Sequence, residues 1–191
     1  MKALMAIWFA ILQFFSYSDG GTLPEDPAQI PQIMLVTIHS NYAWGISQNV
    51  MVIDRDGNCY SHYTDNSNYD YNYANLPDGW VDPSENGWYE KLLEIAENGE
   101  PEGTLPENAT GYIRQNAANF EGWGSAPVKK YDFYTCDYGV RTLYGVYLND
   151  SGEPCLARLA CVGDLTECAD SASAARFVND TGLLDLDGFR F

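Results

Sequence analysis

Histidine is nearly absent from this chain, with only His39 and His62 in 191 residues. A serine or cysteine nucleophile needs an imidazole within hydrogen-bond reach and a third group to orient it. His62 follows Cys59 by three positions, and residues three apart on a strand face opposite ways. His39 belongs to a different strand, so no Cys–His dyad is expected. C-x-x-C pairs are missing too, and two histidines cannot build the usual zinc spacings, so no metal is expected. The Gly-Trp-Gly-Ser run at 122–125 lacks the lysine and the strand-to-helix setting of a phosphate loop. No cofactor is expected.

Positive charge is scarce: 10 Lys and Arg stand against 27 Asp and Glu, a formal net charge of −17. Such a surface repels phosphate backbones and anionic lipid at short range, which disfavours nucleic acid and membrane surfaces as partners. A cation, a basic protein or a neutral ligand stays open.

Long apolar runs are lacking after the first fifteen residues. Lys2 precedes a stretch at 3–15 that is apolar apart from Gln13, followed by Ser16-Tyr17-Ser18. That run is too short to span a bilayer and has the layout of a secretory signal peptide over 1–18. Residues 19–31, rich in proline and glycine, read as a tether, and 32–191 as a single α+β domain. The expected location is secreted or in the cell envelope.

The five cysteines, Cys59, Cys136, Cys155, Cys161 and Cys168, are odd in number, so at least one thiol is left out of any internal pairing. Cys155 and Cys161 are six residues apart on one expected strand, about 20 Å at strand rise, whereas a disulfide needs Cα atoms within about 7 Å. Cys161 and Cys168 flank the break at Gly163-Asp164 and are the candidate disulfide. Cys59 with Cys136 is a weaker second pairing.

Segment 32–44 is β-branched and apolar, and reads as a strand. Two further β-type runs flank Asp54-Arg55-Asp56-Gly57-Asn58, which reads as a hairpin turn with Gly57 left-handed. The EF-hand spacing fails there, because the glycine is fourth rather than sixth and position twelve is Asp65. Apolar spacing predicts a helix over 88–99, a weaker one over 108–120 after a Pro/Gly-rich loop at 100–107, and a closing helix after a Ser cap near 171. Between 130 and 163, three β-type runs predict an antiparallel meander. A symmetric turn about Ser151-Gly152 would oppose Leu148 to Cys155, Val146 to Ala157, Tyr144 to Leu159 and Thr142 to Cys161, with Arg141, Tyr147 and Arg158 sharing the polar face. The fold class is therefore α+β, an antiparallel sheet of hairpins with two to three short helices packed on it.

Aromatic side chains make up 14% of the chain and crowd its loops. In Tyr69-Asp70-Tyr71-Asn72-Tyr73 an extended backbone puts the three tyrosines on one face. Together with Trp80 and Trp44 they are the candidate ligand-binding residues, since flat rings beside Asn and Asp suit a sugar or a peptide. The leading expectation is a secreted, non-catalytic domain binding a protein or glycan. The alternatives are an exported hydrolase using a carboxylate pair, with Asp54, Asp56, Asp132, Asp137 and Asp164 near strand ends, or an acidic inhibitor or immunity-type protein.

Overall fold

The computed structural model describes residues 30–42, 45–66, 76, 78–132, 137–185 and 190–191. The expected signal peptide, most of the tether, Trp44, Tyr69, Tyr71, Tyr73 and Cys136 lie outside the described residues. Ile30 and Pro31, the end of the expected tether, are buried.

Strand β1 (Ile33–Asn41) has six consecutive buried residues, Ile33 to Ile38, because both of its faces are covered. It pairs with β2 (Ile46–Asp54) on one side and β6 (Val140–Leu148) on the other. Beyond β2 come β3 (Asn58–Asn66) and β4 (Glu100–Thr104); beyond β6 come β7 (Pro154–Gly163), β8 (Glu167–Ala169) and β5 (Val128–Lys130). The result is one eight-stranded sheet in the order β4-β3-β2-β1-β6-β7-β8-β5, antiparallel throughout. Helix α1 (Trp88–Asn98) covers one face. The other carries α2 (Glu107–Asn116), a 3-10 turn, the short α3 (Phe120–Gly124) and α4 (Ala172–Thr181). The α+β class and the helices packed on an antiparallel sheet are as the sequence implies.

At the β2–β3 turn the Asp54 carboxylate accepts from the backbone N–H groups of Asp56 and Asn58 at 2.9 and 2.8 Å, and Gly57 has φ +84°. Asp54 is thus a turn former. The Asn98-Gly99 stop ends α1 within one residue of expectation, and Ser171 Oγ accepts from Ala174 N to cap α4.

Three expectations are corrected. The Pro/Gly-rich stretch at 100–107 is not all loop: residues 100–104 add an edge strand to β3, where Pro101 and glutamates blunt the free edge. β6 is flanked by β1 and β7, and the chain at 128–130, where the expected meander would begin, lies at the far edge paired with β8; residues 133–136 of the meander's first run lie outside the described residues. The hairpin register is also shifted, with Leu148 opposite Pro154, Val146 opposite Leu156 and Tyr144 opposite Arg158. Asn149 causes this, since its side-chain oxygen accepts from the N–H groups of Ser151 and Glu153, both at 2.9 Å, and draws a three-residue loop instead of a two-residue one. Leu159 is then an extra residue, a β-bulge that restores Thr142 opposite Cys161 as expected. Arg158 therefore faces away from Arg141 and Tyr147 instead of sharing their side.

The bulge aims Leu159 and Ala160 together into the core beneath α3 and α4, leaving Arg158 and Cys161 on the other face. That core is aromatic: Phe120 packs against Trp123 and Phe177 at 5.9 and 5.4 Å between ring centroids, and Phe177 stacks on Tyr112 at 5.6 Å.

Candidate binding site

Of the five aromatic residues singled out from sequence, Trp80 is the one within the described residues, and it is only 6% exposed. Gln48, 2% exposed, explains why: its amide accepts from Val81 N at 2.8 Å and donates to Val81 O at 3.0 Å, fastening the segment after Trp80 onto β2. Lys91 Nζ donates to Trp80 O at 2.8 Å, and the Tyr42 ring lies 6.0 Å from the indole. The indole is mainly an anchor for the chain leaving the tyrosine-rich segment.

Cys59, Cys155, Cys161 and Cys168 are free thiols. Cys161 opposes Glu167 and Cys168 opposes Ala160, so the candidate pair sits on adjacent positions of neighbouring strands but on opposite faces of the sheet. Strand alternation, not distance along the chain, keeps them apart. Burial pushes the Cys59 thiol up to about 12 and the Cys168 thiol up to about 11. It raises Cys161 as well, against the pull of the Arg158 guanidinium 3.0 Å from its sulfur. All three are protonated near neutrality and poorly suited to nucleophilic work. Arg158 also donates at 2.6 Å to Glu167, whose side chain is 10% exposed, and Lys130 approaches the same carboxylate at 3.6 Å. This is a network of two cations on one carboxylate that ties β7 to β8 and β5.

His39 sits at another junction. Its Nε2 is 2.8 Å from Tyr138 O, which can only accept, so this nitrogen carries the proton; the ring stacks on Tyr138 at 4.7 Å. Arg141 lies over the Tyr138 ring, and the Asp164 carboxylate accepts from Tyr138 N and Gly139 N at 3.3 and 2.8 Å. Asp164 and Asp137 (φ +59°) shape this turn. Burial, and secondarily Arg141, lowers the His39 pKa below its ordinary 6.5, against the Tyr138 hydrogen bond and Asp164. Above that pH both folded and unfolded states are neutral here. Below it the unfolded chain takes a proton that the folded state refuses, so stability falls with pH until the folded pKa is passed. Urea unfolding at about pH 7 and about pH 5 is expected to show a smaller loss for His39→Gln than for the native protein, and an equal loss would contradict the assignment.

Among the described residues, an arrangement with the dimensions of a ligand site lies between β5 and α4. A cleft of about 530 Å³ is bounded by Lys129, Tyr131, Asp170, Ser171, Arg176, Asn179, Asp180 and Phe191 among others. Its strand wall is fixed by pairing: Asp170 N donates to Pro127 O at 2.7 Å and Tyr131 N to Thr166 O at 3.0 Å. Alternation then sends Lys129 to the helix side with Cys168 and Lys130 to the opposite side with Glu167. The helix wall is set by the Ser171 cap and by burial of Phe177 and Val178, which turns Arg176 and Asn179 toward the cleft. Asn179 holds Phe191 through both main-chain atoms, accepting from its N–H at 3.0 Å and donating to its carbonyl at 3.1 Å. The Phe191 ring thereby meets Tyr131 edge-on at 5.4 Å and 84°. Lys129 Nζ lies 4.8 Å from the centre of the Tyr131 ring. Tyr112 OH donates to the Asp180 carboxylate at 3.0 Å, and with burial, the larger cause, this raises the Tyr112 pKa well above its usual value.

Chemically the cleft offers two ring surfaces, two cations, two carboxylates and neutral hydrogen-bonding groups in one concavity. Its volume falls within the range of about 300–1,000 Å³ usual for ligand pockets. Sequence reasoning did not find it, because its walls come from segments about 40 residues apart in sequence. The available signal was Lys129-Lys130, the only adjacent pair of cations in an acidic chain. Among the described residues no group of three or more His, Cys, Asp or Glu side chains is placed to hold a metal ion, and no helix is long and apolar enough to cross a membrane. No protein-family model, no curated protein and no solved structure matches this chain.

Proposed function

We propose that the chain is an exported, non-catalytic binding domain for a protein or glycan, and that the cleft between β5 and α4 is where its ligand sits. The observation that carries this is the convergence of the Tyr131 and Phe191 rings with Lys129, Asp170, Arg176 and Asp180 around one cleft. Ring faces take the apolar face of a sugar or side chain, while charged groups at the rim fix its orientation. The raised thiols and the turn-forming roles of Asp54 and Asp164 favour binding over catalysis.

Calorimetric titration against a panel of oligosaccharides and peptides tests the proposal. Tyr131→Ala is expected to weaken the best ligand about tenfold, the loss of roughly 1.4 kcal/mol of ring contact. An equal affinity for native protein and variant would place the ligand elsewhere. Export rests on residues 1–18 and is checked by N-terminal sequencing of the exported protein, which should begin after Ser18 and not at Met1.

A hydrolase reading has one observation in its favour, that Asp170 and Asp180 line the same cleft. Release of reducing ends from the same panel, abolished by Asp170→Asn or Asp180→Asn, would support it over binding alone.

A further inference from the structure

Taking the cleft as the binding site, we infer that its ligand is an anionic sugar, one carrying a carboxylate or an equivalent acidic group on a pyranose ring. The inference rests on the binding reading above and adds the charge of the ligand.

Cations are the scarce resource on this protein, 10 against 27 acidic residues. With so many carboxylates, a cation without an ion pair calls for a reason. Among the described residues Lys91, Arg114, Lys130, Arg158 and Arg190 each sit in an ion pair. Arg55, Arg141, Lys129 and Arg176 do not; Arg141 lies over the Tyr138 ring, and of the four it is Lys129 and Arg176 that line the cleft, beside Asp170 and Asp180. Asp180 is instead engaged by the Tyr112 hydroxyl. Lys129 is held over the Tyr131 face, 4.8 Å from the ring centre. A cation beside a ring face, with a guanidinium on the facing helix, suits a pyranose that sets its apolar face on the aromatic corner and its acidic substituent between the two cations. The remaining carboxylates and Ser171 suit its hydroxyl groups.

The net charge of −17 does not oppose this at contact. At physiological ionic strength charges are screened over about 8 Å, so the cations inside the cleft dominate what a bound ligand feels. The distant acidic surface slows the approach of an anion instead.

The probe is a matched pair, oligogalacturonate and its fully methyl-esterified form, with a sulfated galactan oligosaccharide as third arm, titrated into the full-length protein. The acid is expected to bind at least about tenfold more tightly than the ester. In the double variant Lys129→Met/Arg176→Met that ratio should fall toward one, and in Lys129→Arg it should persist, with circular dichroism checking that each variant folds. A tighter sulfated arm that responds to the same variants supports the anionic class and assigns the acidic group to a sulfate ester. Equal binding of acid and ester by the native protein overturns the inference and leaves the binding-domain reading in place. Binding of none of the three, while another glycan or peptide binds and Tyr131→Ala weakens it, also overturns the inference alone. If Tyr131→Ala weakens no ligand found, the cleft reading falls as well.

Discussion

Phe120→Ala is expected to destabilise the protein by about 3–5 kcal/mol, the usual cost of removing a fully buried phenylalanine. In a domain of this size that corresponds to a fall of roughly 6–20 °C in melting temperature. Phe120 is 0% exposed and stands where α3 begins, in contact distance of Trp123 and Phe177. The sheet makes room for its ring at Gly145, where an added Cβ would come within 2.5 Å of the Phe120 ring atoms. Ring and gap are therefore matched, and no neighbouring side chain can move in to fill the space left by alanine without vacating its own. The effect reaches the cleft, because Phe177 is on α4, the helix that supplies Arg176 and Asn179. Thermal unfolding followed by circular dichroism reads the loss. A shift of only a degree or two would mean that the aromatic cluster does not join α3 and α4 to the sheet as described.

Gly163→Ala is expected to cost about 3 kcal/mol, for two reasons that act on the same atom. Gly163 has φ +131°, a conformation that costs a side chain about 1–3 kcal/mol. Its new Cβ would also lie 2.2 Å from the carbonyl oxygen of Gly139, and overpacking adds about 1–3 kcal/mol. The obstacle is backbone, which cannot rotate away as a side chain could. That same carbonyl accepts from Asp164 N at 2.8 Å, so relief of the clash breaks the junction that also positions Tyr138 against His39. Gly152 makes the comparison: its φ is +77° but nothing lies within 4 Å of an added Cβ, so Gly152→Ala should cost only the backbone strain. Urea unfolding of the two variants side by side separates strain from collision. Equal losses would show that the contact with Gly139 is relaxed without penalty.

These two sites illustrate what was legible in the sequence and what was not. β1 was legible as a strand because residues 33–38 are apolar or β-branched in succession, although its central place, buried on both faces, emerges only in the sheet. The β2–β3 turn and the α4 cap were legible because Asp54 and Ser171 bond to backbone groups only two to four residues away. Local chemistry decides such features. The Leu159 bulge was not legible, since it compensates for a loop length set by Asn149 ten residues earlier. Nor was the pairing of 128–130 with β8, a contact between segments about 40 residues apart with only three residues to advertise it. The cleft inherits that difficulty. Tyr131 reads as part of the meander's first run, with Lys129 just ahead of it, until β5 is placed against β8, and nothing along the chain ties Phe191 to them until Asn179 is seen to hold it. Aromatic content pointed to 69–73 because alternation is visible there, whereas the Tyr131–Phe191 corner has no pattern along the chain.

The central claim, that ligand is held between β5 and α4, is tested most directly by mapping amide chemical shifts of the ¹⁵N-labelled protein as oligogalacturonate is added. Perturbations are expected to concentrate at Lys129, Tyr131, Asp170, Ser171, Arg176 and Phe191, the residues that bound the cleft. Shifts confined to 67–75, with those six amides silent at saturation, would contradict the account.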